Sequence, residues 1–117
     1  MLSGARVILG VTGGIAAYKA AFLLRELQKA GAEVKVTMTP AATRFVGVET
    51  FASLSRSEVA VHLFDDASSS HESWVRHIEW GEWADLFVIA PCTANTMAKI
   101  AHGLSDNMLT STVLAAR

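Results

Sequence analysis

Three groups of residues in this 117-residue chain have types and spacing that could do chemistry. They are the pair Gly13–Gly14, the hydroxyl- and amide-bearing run 93–96, and four histidines. Gly13–Gly14 follows an apolar run and opens directly into an Ala-rich helical pattern. Without Cβ atoms the backbone there can approach a ligand closely. The N–H groups of the next helix, with its dipole behind them, then face an anion. One phosphate can be held in this way without Lys or Arg. The same pair also suits a plain strand-to-helix turn that binds nothing.

The dinucleotide fingerprint GxGxxG is not met. The chain has Gly10-x-x-Gly13-Gly14, and no acidic residue closes the second expected strand where a ribose hydroxyl would be read. Thr39 stands there instead, and a hydroxyl suits a phosphate oxygen, so a mononucleotide fits better than NAD. The second loop runs Ala90-Pro91-Cys92-Thr93-Ala94-Asn95-Thr96 into a helical pattern. It can line a ligand, or Thr93 can simply cap the helix. Both loops follow strands expected to be parallel, which brings them together at the carboxyl edge of the sheet, where such folds bind ligands.

Taken singly, His62, His71, His77 and His102 read as structural imidazoles bonded to carbonyls, with His102 near a helix end where a cation is favoured. Cys92 is the single cysteine, which excludes an intrachain disulfide and a Cys-based metal cluster. HExxH, CxxC and the serine elbow are absent from the sequence, and no metal site is expected.

The elements that must position these residues follow from periodicity. Residues 6–12 read as a central strand buried on both faces, because the apolar run is nearly continuous. From Ile15 onward Ala16, Ala20, Leu23, Leu24 and Leu27 share one helical face, and Gly31 supplies the stop. Residues 32–39 alternate as a strand, completing a right-handed βαβ unit. Pro40, with Thr39 as its N-cap, predicts a short helix over 41–45, and a second turn or helix spans 49–55. Residues 59–64 read as another strand and 65–74 as a polar loop. Residues 85–90 repeat the pattern of the first strand and lead through Thr93 into a helix over 95–102, ended by Gly103. Ser105 or Asp106 is expected to cap a last helix running through Leu114. The whole is one α/β domain over 1–117 around a parallel sheet, without repeat or internal boundary.

Composition narrows the partners. A 51% hydrophobic chain of net charge −1 can build a globular core. Its Lys and Arg are scattered singly, so no basic stripe exists to follow a nucleic acid or an anionic membrane. No apolar run reaches the roughly 18–20 residues that span a bilayer, and no signal peptide opens the chain. A cytoplasmic protein is expected.

The strings VTGGIAAYK, TPAATRF and HIEWGEWADLFVIAPCTANTMAKIAHGLSDNMLT, in that order, closely resemble the flavin-dependent cysteine decarboxylase (HFCD) family over nearly all of residues 5–117. The resemblance implies a Rossmann-like, flavodoxin-type three-layer fold and FMN as cofactor. It implies decarboxylation of 4'-phospho-N-pantothenoylcysteine to 4'-phosphopantetheine in coenzyme A biosynthesis. Carried onto these positions, Gly13, Gly14 and Ile15 contact FMN, Thr39 helps hold its phosphate, and Thr93, Ala94, Asn95 and Thr96 line the rest of the site. The family's catalytic histidine falls on His77. In this chemistry the thiol side is first oxidised to a thioaldehyde, with FMN taking the hydride, so that loss of CO2 leaves stabilised electrons. A group with pKa near neutrality suits the accompanying proton movement. Trp74, Trp80 and Trp83 read as packing or subunit contacts, with flavin stacking as the alternative and Trp83 as core. The family's homotrimers, often assembled further, imply flavin between neighbouring subunits.

Two elements of the family pattern are absent from the sequence: a PxMN motif whose Asn grips the substrate carboxylate, and a flap cysteine that Cys92 cannot replace. The chain ends at Leu114-Ala115-Ala116-Arg117 within an expected helix. A domain truncated at its C-terminal side is therefore expected, with a C-terminal ligase domain beyond it in the full protein. The opposing readings are a flavin prenyltransferase of the same fold, which Asn95 disfavours, and a non-catalytic FMN-binding or regulatory flavoprotein.

Overall fold

The computed structural model of the chain describes residues 3–61 and 78–115. Strand β1 (Arg6–Val11) lies between β2 (Glu33–Met38) and β3 (Leu86–Ile89), parallel to both. Its alternating side chains serve two cores. Val7, Leu9 and Val11 pack with Leu24 and Phe51 on one face, while Ile8 packs with Trp80 and Met108 on the other. Both faces are therefore buried, as a central parallel strand requires. Helices α1 (Lys19–Lys29) and α2 (Val48–Ser55) cover the first face. The helical segment 78–83 and α4 (Met108–Ala115) cover the second, giving three layers. Helix α3 (Ala94–Ala101) follows β3.

The βαβ unit is present, with one difference in phase. Residues Ile15–Tyr18 form a 3-10 turn before α1 begins. At about three residues per turn the pattern slips. Ala17 is then buried in place of Ala16, which is exposed, while Ala20 and Leu24 keep the inward face. The helix ends as expected at Gly31, whose φ of +99° is the left-handed conformation that favours glycine. Gly31 N–H donates to Gln28 C=O and Ala32 N–H to Leu27 C=O, both at 3.0 Å, closing a Schellman motif.

Three further expectations change. Within 59–64, Ala60 makes an isolated parallel bridge to Thr37 on the outer side of β2, while 62–64, like the expected loop 65–74, lie outside the described residues. Strand β3 repeats the apolar pattern of β1 but is only half-buried, with Leu86 exposed, because among the described residues it pairs on one side alone. Helix α4 is capped by neither Ser105 nor Asp106. The cap is Asn107, whose Oδ1 accepts from Thr110 N–H at 2.9 Å. Among the described residues no helix is long and apolar enough to cross a membrane.

Candidate functional site

The carboxyl ends of the strands are tied together through β1. Gly10 C=O accepts from Ala90 N–H at 2.9 Å, and Val11 C=O accepts from Thr39 N–H at 2.9 Å. The next residue, Thr12, continues the pattern with its side chain. Its hydroxyl donates to Pro91 C=O and accepts from Thr93 N–H, the latter at 3.0 Å. Three loops, after β1, β2 and β3, thus leave the sheet side by side, as parallel topology demands.

A cleft of about 430 Å³ opens between them, within the ~300–1,000 Å³ usual for small-molecule sites. Gly13, Thr39, Thr93, Asn95 and Thr96 line it, joined by Pro40, Ala41, Phe45, Lys99, Asp106 and Asn107. Sequence distance has become proximity around one cleft for those five expected residues. Gly14, Ile15 and Ala94 do not line the cleft itself. Gly14 is the residue just before the 3-10 turn, and the Ile15 side chain is 85% exposed. His77 lies outside the described residues.

The two glycines differ in what they permit. A Cβ on Gly13 would meet Ala41 Cβ at 2.9 Å and its carbonyl carbon at 3.2 Å. Gly13 is therefore needed for one loop to pack on another, a purpose the ligand reading of the pair does not include. A Cβ on Gly14 would meet nothing within 4 Å, which leaves open space at the mouth of the 3-10 turn.

Each hydroxyl in the cleft has a definable hydrogen-bond state. Thr39 Oγ1 accepts from Ala42 N–H at 3.2 Å, capping the 3-10 turn Pro40–Arg44. Thr93 Oγ1 caps α3 by accepting from Thr96 N–H at 3.2 Å and donates to Thr96 Oγ1 at 3.2 Å. The capping reading of both threonines thus holds, but it uses only their acceptor capacity for N–H groups. The hydroxyl protons of Thr39 and Thr96 have no acceptor among the described residues, although these residues are only 5% and 3% exposed. Buried donors are nearly always satisfied, so two such protons beside one cleft fit an acceptor-rich ligand.

Lys99 stands one turn along α3 from Asn95 and Thr96, on the same side. Its ammonium donates to Asp106 Oδ2 at 2.8 Å, and Asn107 Nδ2 donates to Asp106 Oδ1 at 3.3 Å. The cleft lining thus carries a neutralised ion pair as well as hydroxyls. Residue spacing did not single out Lys99 or Asn107, and it offered Asp106 only as a helix cap. The Asn107-x-x-Thr110 pattern, an Asx cap, was the available signal for Asn107. Trp80 is buried, and Trp83 is half-buried against the second core. Their rings lie 5.3 and 4.6 Å from Lys35 Nζ, a cation–π clamp. Neither lines the cleft, while Trp74 lies outside the described residues. Cys92 is half-buried with a free thiol.

Known proteins resemble this chain in sequence and in fold. A family model described as Flavoprotein matches residues 1–117. The chain is 49% identical over 116 residues to the coenzyme A biosynthesis bifunctional protein CoaBC of Bacillus subtilis, covering 99% of this chain. It is 47% identical over 112 residues to the protein of that name from Mycolicibacterium smegmatis, covering 96% of this chain. It spans only 28% and 26% of the length of these relatives. Among solved structures, the FMN-dependent cysteine decarboxylase SpaF superposes with a TM-score of 0.84 at 32% identity, over 100% of this chain and 66% of SpaF. A PPC decarboxylase mutant complexed with pantothenoylaminoethenethiol gives 0.77 at 33% identity, over 97% of this chain and 61% of that one.

Proposed function

The chain belongs to the Flavoprotein family, and on that premise we propose that its cleft binds FMN for the decarboxylation of 4'-phospho-N-pantothenoylcysteine to 4'-phosphopantetheine. The observation that carries the cofactor assignment is the pair of buried, unclaimed hydroxyl protons of Thr39 and Thr96 beside the open backbone at Gly14. The solved relatives described as FMN-dependent or FMN-binding support the same choice. The bifunctional relatives support the substrate and a ligase domain elsewhere in the full protein.

On this reading Thr39 donates to a phosphate oxygen, and the backbone of Gly13, Gly14 and Ile15 approaches the same group. Thr93, Ala94, Asn95 and Thr96, at the N-terminus of α3, supply hydroxyl, amide and N–H donors to the polar edge of the flavin. Lys99 and Asp106 add a neutral pair to the lining. His77 holds the proton that moves near the substrate, a task suited to a group titrating close to neutrality. When bound, FMN would supply a carrier that takes up two electrons and gives them back. The overall conversion is redox-neutral: the bond from carbon to the carboxylate breaks, CO2 leaves, and a proton takes its place.

Beside the first loop Ile15, Tyr18 and Phe22 expose apolar side chains in a row. We assign this row to a contact between copies in a homotrimer or larger assembly, which would bring a second chain beside the flavin. Work in the cytoplasm agrees with the free thiol of Cys92.

The test is direct. The purified full-length protein, incubated with 4'-phospho-N-pantothenoylcysteine, should release CO2 and yield a thiol product of the corresponding mass. FMN-loaded protein that leaves this substrate intact would overturn the substrate assignment.

A further inference from the structure

Thr12 sits between Gly10 and Gly13 with no role so far assigned to it, and its side chain joins that stretch to the loop after β3. Its side chain is fully buried. The hydroxyl lies between Pro91 C=O, to which it donates, and Thr93 N–H, from which it accepts at 3.0 Å. Both partners sit where the sheet ladder has just ended, since Ala90 N–H to Gly10 C=O is its last rung on that side. Thr93 is also the residue that caps α3 and orders Thr96. A single hydroxyl therefore takes the place of two ladder bonds and sets where the second loop enters the cleft.

We infer that Thr12 is a positioning residue for the cofactor: it holds the loop 91–93, and through Thr93 the Thr96 hydroxyl, in the place FMN requires. The inference rests on the FMN reading above. Thr12 adjoins Gly13 but is absent from the cleft lining, so its effect on binding passes through Thr93. Valine matches threonine in shape but cannot donate or accept. It would leave a carbonyl and an N–H without partners in a part-buried place, a cost at each such group. The loop can avoid that cost by turning these groups toward water, away from the arrangement in which the cleft was formed.

The experiment compares the FMN dissociation constants of the wild type, Thr12→Val and Thr12→Ser, together with amide hydrogen exchange at Thr93 in the apo wild type. Thr12→Val is expected to weaken FMN by about tenfold or more, and Thr12→Ser to restore binding to within about threefold. Thr93 N–H should be protected from exchange although it precedes the first turn of α3. Wild-type affinity in a folded Thr12→Val overturns the inference while leaving the FMN site intact. Should Thr12→Val fail to fold, Thr12→Ser and the exchange measurement decide, and an unprotected Thr93 N–H overturns the bridge. A wild type that binds no FMN overturns the cofactor reading instead, which the exchange result does not depend on.

Discussion

Gly13 lies so close to Ala41 that a Cβ added to it would stand 2.9 Å from the Cβ of Ala41. The loops after β1 and β2 are in contact there, and that contact forms one wall of the cleft. Gly13→Ala must push the loops apart, at a cost of ~1–3 kcal/mol typical of overpacking. Gly14→Ala meets no neighbour and should change stability by well under half of that. Urea denaturation of the two variants checks the contrast. Equal midpoints would show that the loops yield without cost.

His77 is expected to act on the proton and not to hold the cofactor. His77→Asn keeps a polar side chain of similar size but loses the group that titrates near neutrality. In the full-length protein, CO2 release should fall by about a hundredfold or more, while the flavin absorbance of the purified variant is retained. A variant that decarboxylates at the wild-type rate would remove His77 from the mechanism.

Far from the cleft, Asp85 joins the start of β3 to the start of β1. Its Oδ2 accepts from Arg6 N–H at 2.9 Å, and its Oδ1 accepts from the Arg6 guanidinium at 3.4 Å. These bonds, the backbone one foremost, hold the Asp85 carboxyl below its ordinary value. A carboxylate depressed on folding stabilises the protein above its unfolded pKa, about 3.9. That contribution is lost as pH falls through the lower folded value. The melting temperatures of the wild type and Asp85→Asn should therefore differ at pH 7 and converge as pH falls below about 4. The gap should be small, because the pair is exposed. A gap independent of pH would mean that the carboxylate's charge is not what matters.

Much of this arrangement was legible in the sequence, for local reasons. The unbroken apolar run of β1, the stop at Gly31 and the caps at Thr39 and Thr93 are short-range signals, and each stands where its pattern placed it. The slip at Ile15–Tyr18 was not legible, because an Ala-rich run suits 3-10 and α turns alike. Thr12 and Lys99 were missed, and Asp106 was read only as a helix cap, for a different reason. Thr12 matters through Thr93, 81 positions away, and Lys99 through Asp106 across the end of a helix. No periodicity records such pairs. The difference between the two glycines, Gly13 packed on Ala41 and Gly14 beside open space, needed Ala41 in view.

The central claim is that the cleft between the loops after β1, β2 and β3 holds the phosphate-bearing flavin, with the open backbone of Gly14 next to Gly13 of its lining. It is tested most directly by titrating FMN into the apo protein and into Gly14→Asp, following flavin fluorescence. The substitution places a carboxylate in space that is otherwise open, so the fold should keep its melting temperature. Repulsion from the phosphate should weaken binding by about tenfold or more, ~1.4 kcal/mol per tenfold. Saturable binding by the wild type with that loss in Gly14→Asp is the predicted result. Unchanged affinity in a folded Gly14→Asp would contradict the assignment.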